Sequence, residues 1–225
     1  MMTIATINDG NVQARFNMIE QQIRTWDVLD PKVLQLLHDV PREHFVPAAY
    51  QGLAFADIEI PLIDEQFMLS PKLEARILQS LNLKKTDKVL HVGTGSGYFT
   101  ALLAKLAEHV YSLEVDPELS ATAAYQLAQH DIHNVTIELA NGVRGFAEQQ
   151  PYDVIVLTGS SPVEPPNLRE QLKIGGSLFV ILGSAPVMEA TLIQRVSETG
   201  FSKQVIFETC IPELASAPQQ DNFEF

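Results

Sequence analysis

The run from Lys88 to Phe99, KVLHVGTGSGYF, has the residue types and spacing of a ligand-binding turn. An apolar stretch comes first, then three glycines alternating with small polar residues, then a helical pattern, which predicts a strand, a tight turn and a helix. Glycine lets the backbone turn sharply and lets a ligand approach the peptide plane, while the start of a helix offers N–H groups. A nucleotide-like cofactor fits such a turn. The residues predicted to bind it are Gly93, Thr94, Gly95, Ser96 and Gly97.

The glycine spacing distinguishes two kinds of cofactor. A dinucleotide-binding turn reads G-x-G-x-x-G, which would place its third glycine at position 98. This chain has Tyr98 there and Gly97 before it, so the pattern is G-x-G-x-G. That pattern resembles the first motif of class I S-adenosylmethionine-dependent methyltransferases. For the loop taken alone, a purely structural turn is the alternative.

Two further polar positions follow neighbouring predicted strands. Glu114 ends the run YSLE, where a carboxylate can accept hydrogen bonds from both ribose hydroxyls. Alone it would be a solvated charge, and its place after the glycine-rich unit favours the cofactor role. NAD-dependent enzymes place an acid similarly, so the glycine spacing and not Glu114 separates the cofactors. Asn141 and Gly142 follow the third strand, where the amide could meet an adenine edge, although a plain Asn-Gly turn explains the pair equally well.

Composition limits the partners and the compartment. The chain has 225 residues and a formal net charge of −13 at pH 7, so we expect neither nucleic acid nor a membrane surface as a partner. Its one cysteine, Cys210, forms no internal disulfide, which fits a reducing compartment. The start MMTIATINDG lacks the pattern of a signal peptide, and no apolar run approaches about 18 residues. We expect a cytoplasmic monomer without a metal site.

Helical patterns dominate the first third of the chain. Apolar residues at three- and four-residue spacing predict an amphipathic helix over residues 11–25. Asp30-Pro31 and Ser70-Pro71 each predict a helix start, with an N-cap side chain followed by proline. Residues 42–69 contain several turn formers and predict a long irregular connection.

From residue 84 onward, strand-like and helical runs alternate. Alternation with short loops predicts an α/β fold with a parallel sheet that is covered by helices on both faces. We divide the chain into an extension with the substrate loop (1–83), a cofactor-binding core (84–212) and a mobile acidic tail (213–225). The predicted strands are Lys88–Val92, His109–Leu113, Val135–Leu139, Val154–Leu157, Ser177–Leu182 and Val205–Thr209. The predicted helices are 97–107, 117–130, 166–173 and 186–198.

Nearly the whole chain, residues 11–212, resembles the protein-L-isoaspartate O-methyltransferases. The N-terminal phrase VPREHFVP matters most, because generic methyltransferases lack it, and it is supported by VLHVGTGSGYFTALLAKLAEHVYSLE, PYDVIVLTGSSP and QLKIGGSLFVILG. The resemblance implies an α/β fold of the Rossmann-like class I methyltransferase type, with a mostly parallel sheet, helices on both faces and an N-terminal helical addition. It implies S-adenosylmethionine as the cofactor. It also implies that isoaspartyl-containing peptides or damaged proteins are the substrate, with methylation at the side-chain carboxylate.

The chain departs from the family pattern at four places. His91 stands where the family usually has an acid, which removes an anionic partner for the cofactor's ammonium group. Ala140-Asn141-Gly142 replaces Gly-Asp-Gly, which keeps an acceptor oxygen but loses the charge. Aligned on Pro71, the family's active-site serine falls on Leu69, which has no hydroxyl. The segment CIPEL, from Cys210 to Leu214, replaces the usual valine-proline-leucine.

The departure at Leu69 bears on the acceptor side of the reaction. A carboxylate with an ordinary pKa near 4 is already ionised at pH 7, so transfer needs positioning rather than a general base. Ser70 could take over the steering of the missing serine, although its place before Pro71 favours an N-cap. Thr158, Ser160 and Ser161 follow the fourth strand as alternative hydroxyl donors, or as turn formers. Arg42 and Glu43 could frame the acceptor or form a surface ion pair.

Three functions are consistent with the sequence. The first is an S-adenosylmethionine-dependent carboxyl O-methyltransferase that acts on L-isoaspartyl residues. The second is a diverged relative that methylates another acceptor, which Leu69 and Phe67 favour by making the pocket more apolar. The third is a cofactor-binding module without transfer activity.

Overall fold

The computed structural model describes residues 4–219, with side chains from residue 10 onward. The chain forms two compact units, which we call the amino-terminal unit, up to Gln79, and the sheet unit, from Ser80 onward. The predicted division at residue 83 lies close to this boundary. The boundary itself falls within a helix.

The amino-terminal unit is mainly helical. Its helices are α1 (Ile4–Asn17), α2 (Pro31–Asp39) and α3 (Pro71–Leu81), the last of which extends across the boundary. Helix α2 begins as predicted, because the Asp30 side chain accepts a hydrogen bond from the Lys32 N–H at 2.8 Å. Two-residue strands, β1 (Ile60–Pro61) and β2 (Phe67–Met68), form an antiparallel pair in the segment predicted to be irregular. The buried side chains of the amino-terminal unit include Met18, Ile19, Ile23, Leu37, Ile60 and Ile77.

The sheet unit contains a seven-stranded sheet in the order β5-β4-β3-β6-β7-β8-β9. Five adjacent strands, β5 to β7 in that order, run parallel, and β8 and β9 are antiparallel additions at one side. The prediction of a mostly parallel α/β sheet is confirmed. The strands are β3 (Lys88–Val92), β4 (His109–Glu114), β5 (Val135–Leu139), β6 (Tyr152–Ser161), β7 (Leu172–Ser184), β8 (Val187–Arg195) and β9 (Phe201–Thr209).

Two helices connect the first strands of this sheet. They are α4 (Tyr98–Leu106), which follows the glycine loop, and α5 (Pro117–Gln129). Helix α5 is capped by Asp116, whose side chain accepts from the N–H groups of Glu118 and Leu119. Strand β3 is buried on both faces, which explains its continuous apolar pattern.

Two predicted helices are wrong. The run 186–198 forms β8, because its side chains alternate in burial and it pairs with β7 from Ser177↔Gln194 to Ser184↔Val187. The run 166–173 contains only a short 3-10 turn at Arg169–Gln171, after which Leu172 joins β7 opposite Tyr152. In both places pairing with a strand outweighs the helical propensity of the local sequence.

The chain beyond β9 returns to the sheet. The backbone of Ser160 accepts from the Leu214 N–H at 2.9 Å and donates to the Pro212 carbonyl at 2.9 Å. Ala217 is also buried, so the segment to residue 217 packs on the sheet unit. Residues 220–225 of the predicted tail lie outside the described residues, and its mobility stays a prediction.

Candidate functional site

The glycine loop connects β3 to α4 in the predicted position. Its three glycines have positive φ angles, and two of them also lie where a side chain would not fit. A Cβ at Gly93 would lie 2.8 Å from the Thr158 hydroxyl oxygen, and one at Gly97 would lie 3.0 Å from the Ala123 Cβ on α5. The third glycine therefore lets the start of α4 approach α5. Thr94 and Ser96 are buried between these glycines.

Glu114 connects the glycine loop to the end of β4. Its side chain is buried, and Oε2 accepts a hydrogen bond from the Gly95 N–H at 2.8 Å. Oε1 accepts from the N–H groups of Val115 and Asp116 at 2.9 and 3.1 Å. Because each carboxylate oxygen can accept two hydrogen bonds, Oε2 retains the capacity for one more. The Glu114 carboxylate thus holds the glycine loop through the Gly95 N–H, and its Oε2 can accept one more hydrogen bond. Because it is buried, it is not a solvated charge.

Asn141 and Gly142 form a turn that packs against β3. The Asn141 side-chain oxygen accepts from the Val143 N–H at 3.0 Å, which leaves the amide NH2 as the group for a ligand. A Cβ at Gly142 would lie 2.5 Å from the Val92 Cγ1, so the close approach requires glycine here. The turn explanation is confirmed at this position, while the adenine contact stays a prediction.

His91 lies fully buried beneath the glycine loop. Its Nε2 lies 3.0 Å from the Thr158 hydroxyl, which donates its own hydrogen to the Gly93 carbonyl at 2.8 Å or the Val92 carbonyl at 3.1 Å. Because a carbonyl can only accept, Thr158 must accept from His91, and the proton of the imidazole is on Nε2. Burial lowers the pKa of His91 to about 3, so the ring stays neutral.

The other ring nitrogen of His91 faces hydroxyl groups. Nδ1 lies 2.9 Å from the Thr100 hydroxyl and 3.1 Å from that of Ser112, and Ser112 in turn lies 2.7 Å from the Thr94 hydroxyl. In its neutral form Nδ1 accepts a hydrogen bond, and the hydroxyls supply the donor. A connected polar network therefore supports the loop from below without a charged group among these members.

Hydroxyl groups at the end of β6 are engaged within the sheet unit. Ser160 is fully buried and donates its hydroxyl to the Ile211 carbonyl at 3.1 Å. Ser161 donates to the Val163 carbonyl at 2.6 Å, as a turn former would. Thr158 is oriented by His91 and by the loop carbonyls. A substrate role for Thr158 and Ser160 stays a prediction.

The remaining predicted site residues belong to the amino-terminal unit. The Leu69 side chain is buried, and Ser70 occupies the N-cap position of α3, where its carbonyl accepts from the N–H groups of Leu73 and Glu74. A steering role for Ser70 stays a prediction. The prediction of a surface ion pair at Arg42 and Glu43 is wrong, because Arg42 is buried and forms an ion pair with Glu74.

The family model for protein-L-isoaspartate (D-aspartate) O-methyltransferase matches residues 13–211 of this chain. The chain belongs to that family. A protein-L-isoaspartate O-methyltransferase of Syntrophus aciditrophicus (strain SB) is 39% identical over 184 residues, which are 82% of this chain and 84% of the relative. One of Rhodopseudomonas palustris (strain ATCC BAA-98 / CGA009) is 37% identical over 188 residues, covering 83% and 86% of the two chains. The resemblance expected from the sequence is confirmed.

A solved structure supports the fold. A Plasmodium falciparum protein, described as a candidate protein-L-isoaspartate O-methyltransferase in complex with S-adenosyl-L-homocysteine, superposes with a TM-score of 0.76. It is 19% identical, and the match covers 91% of this chain and 98% of that chain. The expected class I methyltransferase fold is therefore confirmed.

No helix within residues 4–219 has both the length and the apolar character needed to cross a bilayer. Across the same residues, no group of three or more histidine, cysteine, aspartate or glutamate side chains is arranged to hold a metal ion.

Several residues contact the glycine loop or its hydrogen-bond network although the sequence did not predict that they would. Ser112 and Thr100 belong to the network under the loop, and Leu214 lies against Gly159 and near Gly93. Ser112 carries a usable signal, because it is a small polar residue in the middle of an apolar strand. The position of Leu214 has no local signal, since it depends on pairing with a strand some fifty residues earlier.

Proposed function

We propose that this protein is an S-adenosylmethionine-dependent carboxyl O-methyltransferase that methylates L-isoaspartyl residues in damaged proteins. The observation that carries the proposal is the family match over residues 13–211, with relatives of that name at 36–39% identity. The glycine loop and Glu114 support it, since both lie at the carboxyl edge of the parallel sheet, where such folds bind their ligands.

The residues at this edge fit the adenosyl cofactor. The spare acceptor on Glu114 Oε2 suits a ribose hydroxyl, and the Asn141 amide suits an adenine acceptor. The glycines leave room for a ligand against the backbone between β3 and α4. S-adenosylmethionine supplies an activated methyl group on its sulfonium. Gly93, Thr94, Gly95, Ser96, Gly97 and Gly142 complete the proposed cofactor site.

On the acceptor side the protein has to position a group that is already reactive. An isoaspartyl carboxylate is ionised at neutral pH, so no residue needs to remove a proton. Alignment of the reacting atoms to within about 3–3.5 Å is then the main contribution of the enzyme. Leu69 offers no hydroxyl for this purpose, and Ser70, Thr158 and Ser160 are the proposed hydroxyl groups nearby in sequence or at the sheet edge.

Methyl transfer to a matched pair of peptides tests the proposal. With radiolabelled S-adenosylmethionine, we expect base-labile label on an isoaspartyl peptide and none on its normal aspartyl counterpart. Calorimetric titration with S-adenosylhomocysteine is measured in parallel. Binding of S-adenosylhomocysteine without label on either peptide would contradict the isoaspartyl assignment, and absence of binding would contradict the cofactor assignment.

One observation favours a different acceptor as the second candidate. Leu69 replaces a hydroxyl with an apolar side chain, and Phe67 two residues earlier is partly exposed. If that candidate is correct, the cofactor binds and an acceptor other than the isoaspartyl carboxylate becomes labelled. We also propose that the protein is a cytoplasmic monomer. We further propose that it does not bind nucleic acid, which the net charge of −13 supports.

A further inference from the structure

Arg42 occupies an unusual position for an arginine. It lies in a short 3-10 helix, Arg42–His44, and its side chain is 1% exposed. Its Nε donates to the Ala54 carbonyl at 2.9 Å, its Nη2 donates to the Leu69 carbonyl at 2.6 Å, and its Nη1 is paired with Glu74. One guanidinium therefore connects three separate segments of the amino-terminal unit.

The chemistry of this cluster requires arginine. A guanidinium has five N–H donors in a fixed plane, so it can bond to two carbonyls and a carboxylate at once, whereas a lysine ammonium is a single point on a flexible chain. The charge of Arg42 is compensated by the Glu74 carboxylate, which is also buried. Burial raises the pKa of Glu74, and the adjacent Arg42 guanidinium opposes that rise and favours the carboxylate.

The bonds of Arg42 span the segment that carries residue 69. Leu69 lies between β2 and the start of α3, and Glu74 lies in the first turn of α3. Arg42 therefore holds both the carbonyl before the helix start and a side chain just after it. Hydrogen bonds from a charged donor at a buried site are stronger than ordinary hydrogen bonds, so they restrict the backbone at residue 69.

We propose that Arg42 is a positioning residue that fixes the backbone of the Phe67–Ser70 segment through the Leu69 carbonyl, so that the acceptor peptide meets one conformation of this segment. The inference rests on the proposed function for its role in substrate binding. It also supplies a physical reason for the arginine in the VPREHFVP phrase. The arginine acts from the interior of the unit and does not itself touch the substrate.

The test compares Arg42→Lys with Arg15→Lys. Arg15 is a matched control, because it too is largely buried and donates to a carbonyl, that of His38 at 3.1 Å, while pairing with Glu43. The first readout is hydrogen exchange at the backbone amides of residues 67–69. We expect exchange to be about tenfold faster in Arg42→Lys and unchanged in Arg15→Lys, since both variants lose charge-assisted bonds but only Arg42 donates one to the Leu69 carbonyl.

The second readout is kinetic. For the isoaspartyl peptide we expect KM to rise about tenfold in Arg42→Lys while kcat and the Kd for S-adenosylhomocysteine change less than about twofold. Equal exchange at residues 67–69 in the two variants would overturn the inference, whatever the kinetics. If the wild-type protein fails to methylate the peptide, the proposed function fails, and the exchange result still decides the role of Arg42.

A second variant covers the case in which Arg42→Lys does not fold. Glu74→Gln keeps an oxygen for Arg42 but removes the charge that anchors the guanidinium. We expect a severalfold increase in exchange at residues 67–69, smaller than in Arg42→Lys. Wild-type exchange in Glu74→Gln would overturn the inference.

Discussion

Acidification should destabilise the sheet unit through His91, and the size of the effect follows from its burial. In the native state His91 contacts the Phe99 ring and hydroxyl groups, and its pKa is lowered to about 3. In the unfolded chain a histidine titrates near pH 6.5. Between these values the unfolded state binds a proton that the native state does not, so the free energy of unfolding falls as the pH drops below 6.5.

The loss in free energy of unfolding at pH 5 depends mainly on the pKa of His91 in the unfolded chain. Native His91 is neutral at that pH, while the unfolded imidazole has titrated through about 1.5 pH units, each worth about 1.4 kcal/mol. His91 should therefore lower the free energy of unfolding by about 2 kcal/mol between pH 7.5 and pH 5. The effect is absent above pH 7 and continues to grow until the pH approaches 3.

The assay compares His91→Gln with wild type in urea. The glutamine amide can still donate to Thr158, but it does not titrate. Unfolding is followed by far-ultraviolet circular dichroism, which detects the strands and helices of the sheet unit directly, whereas the single tryptophan, Trp26, lies in the amino-terminal unit. We expect His91→Gln to lose about 2 kcal/mol less than wild type between pH 7.5 and pH 5.

A control and a refuting result complete this experiment. His133, whose side chain is 76% exposed in the same unit, provides the matched variant His133→Gln, which should keep the wild-type loss. If wild type and His91→Gln lose the same stability on acidification, His91 is not buried in a neutral form, and the hydrogen-bond assignment of the network is wrong.

Three further predictions concern the cofactor loop and the acceptor segment. Gly97→Ala places a side chain at a positive φ against α5 and should lower the free energy of unfolding by about 1–3 kcal/mol in urea titration, whereas Gly52→Ala, which meets nothing within 4 Å, should leave it unchanged. Glu114→Gln removes the shared acceptor and should raise the Kd for S-adenosylhomocysteine about 10- to 100-fold by calorimetry, while exposed Glu118→Gln should not. Leu69→Ser should raise kcat/KM for the isoaspartyl peptide about tenfold in the radiolabel assay.

Each of these has a distinct contradictory outcome. Equal stability of the two alanine variants would mean that the approach of α4 to α5 tolerates a side chain. Wild-type affinity of Glu114→Gln for S-adenosylhomocysteine would show that this carboxylate does not bind the cofactor. Unchanged or lower kcat/KM in a folded Leu69→Ser protein would show that the missing hydroxyl at position 69 does not limit methyl transfer to the isoaspartyl peptide.

The sequence predicts best where the signal is local. The strand, glycine turn and helix around Gly95 follow from neighbouring residues alone, and so does the helix that starts at Asp30-Pro31. Glu114 could be placed at the same edge because parallel strands bring their carboxyl ends together. These features need no knowledge of distant parts of the chain.

Prediction fails where distant segments decide the structure. The run 186–198 contains helix-forming residues, yet β7 offers it a partner strand, and the alternation of buried Met188 and Ala190 with exposed Val187 and Glu189 is short enough to be missed. Arg42 looks like a surface residue in sequence, and only the fold brings Leu69 and Glu74 to it. Ser160 is similar, because its partners come from residues 211–214.

The return of the chain beside β6 has a consequence for biosynthesis. The glycine loop emerges from the ribosome early. Leu214, which lies against Gly159 and near Gly93, emerges only after all strands of the sheet have been made. Until then Ser160 lacks the backbone partners it has in the finished protein. Until Leu214 has been synthesised, the nascent polypeptide therefore lacks the side chain that lies against Gly159 and near Gly93, and we expect this part of the sheet unit to reach its final packing only after the sheet strands have left the ribosome.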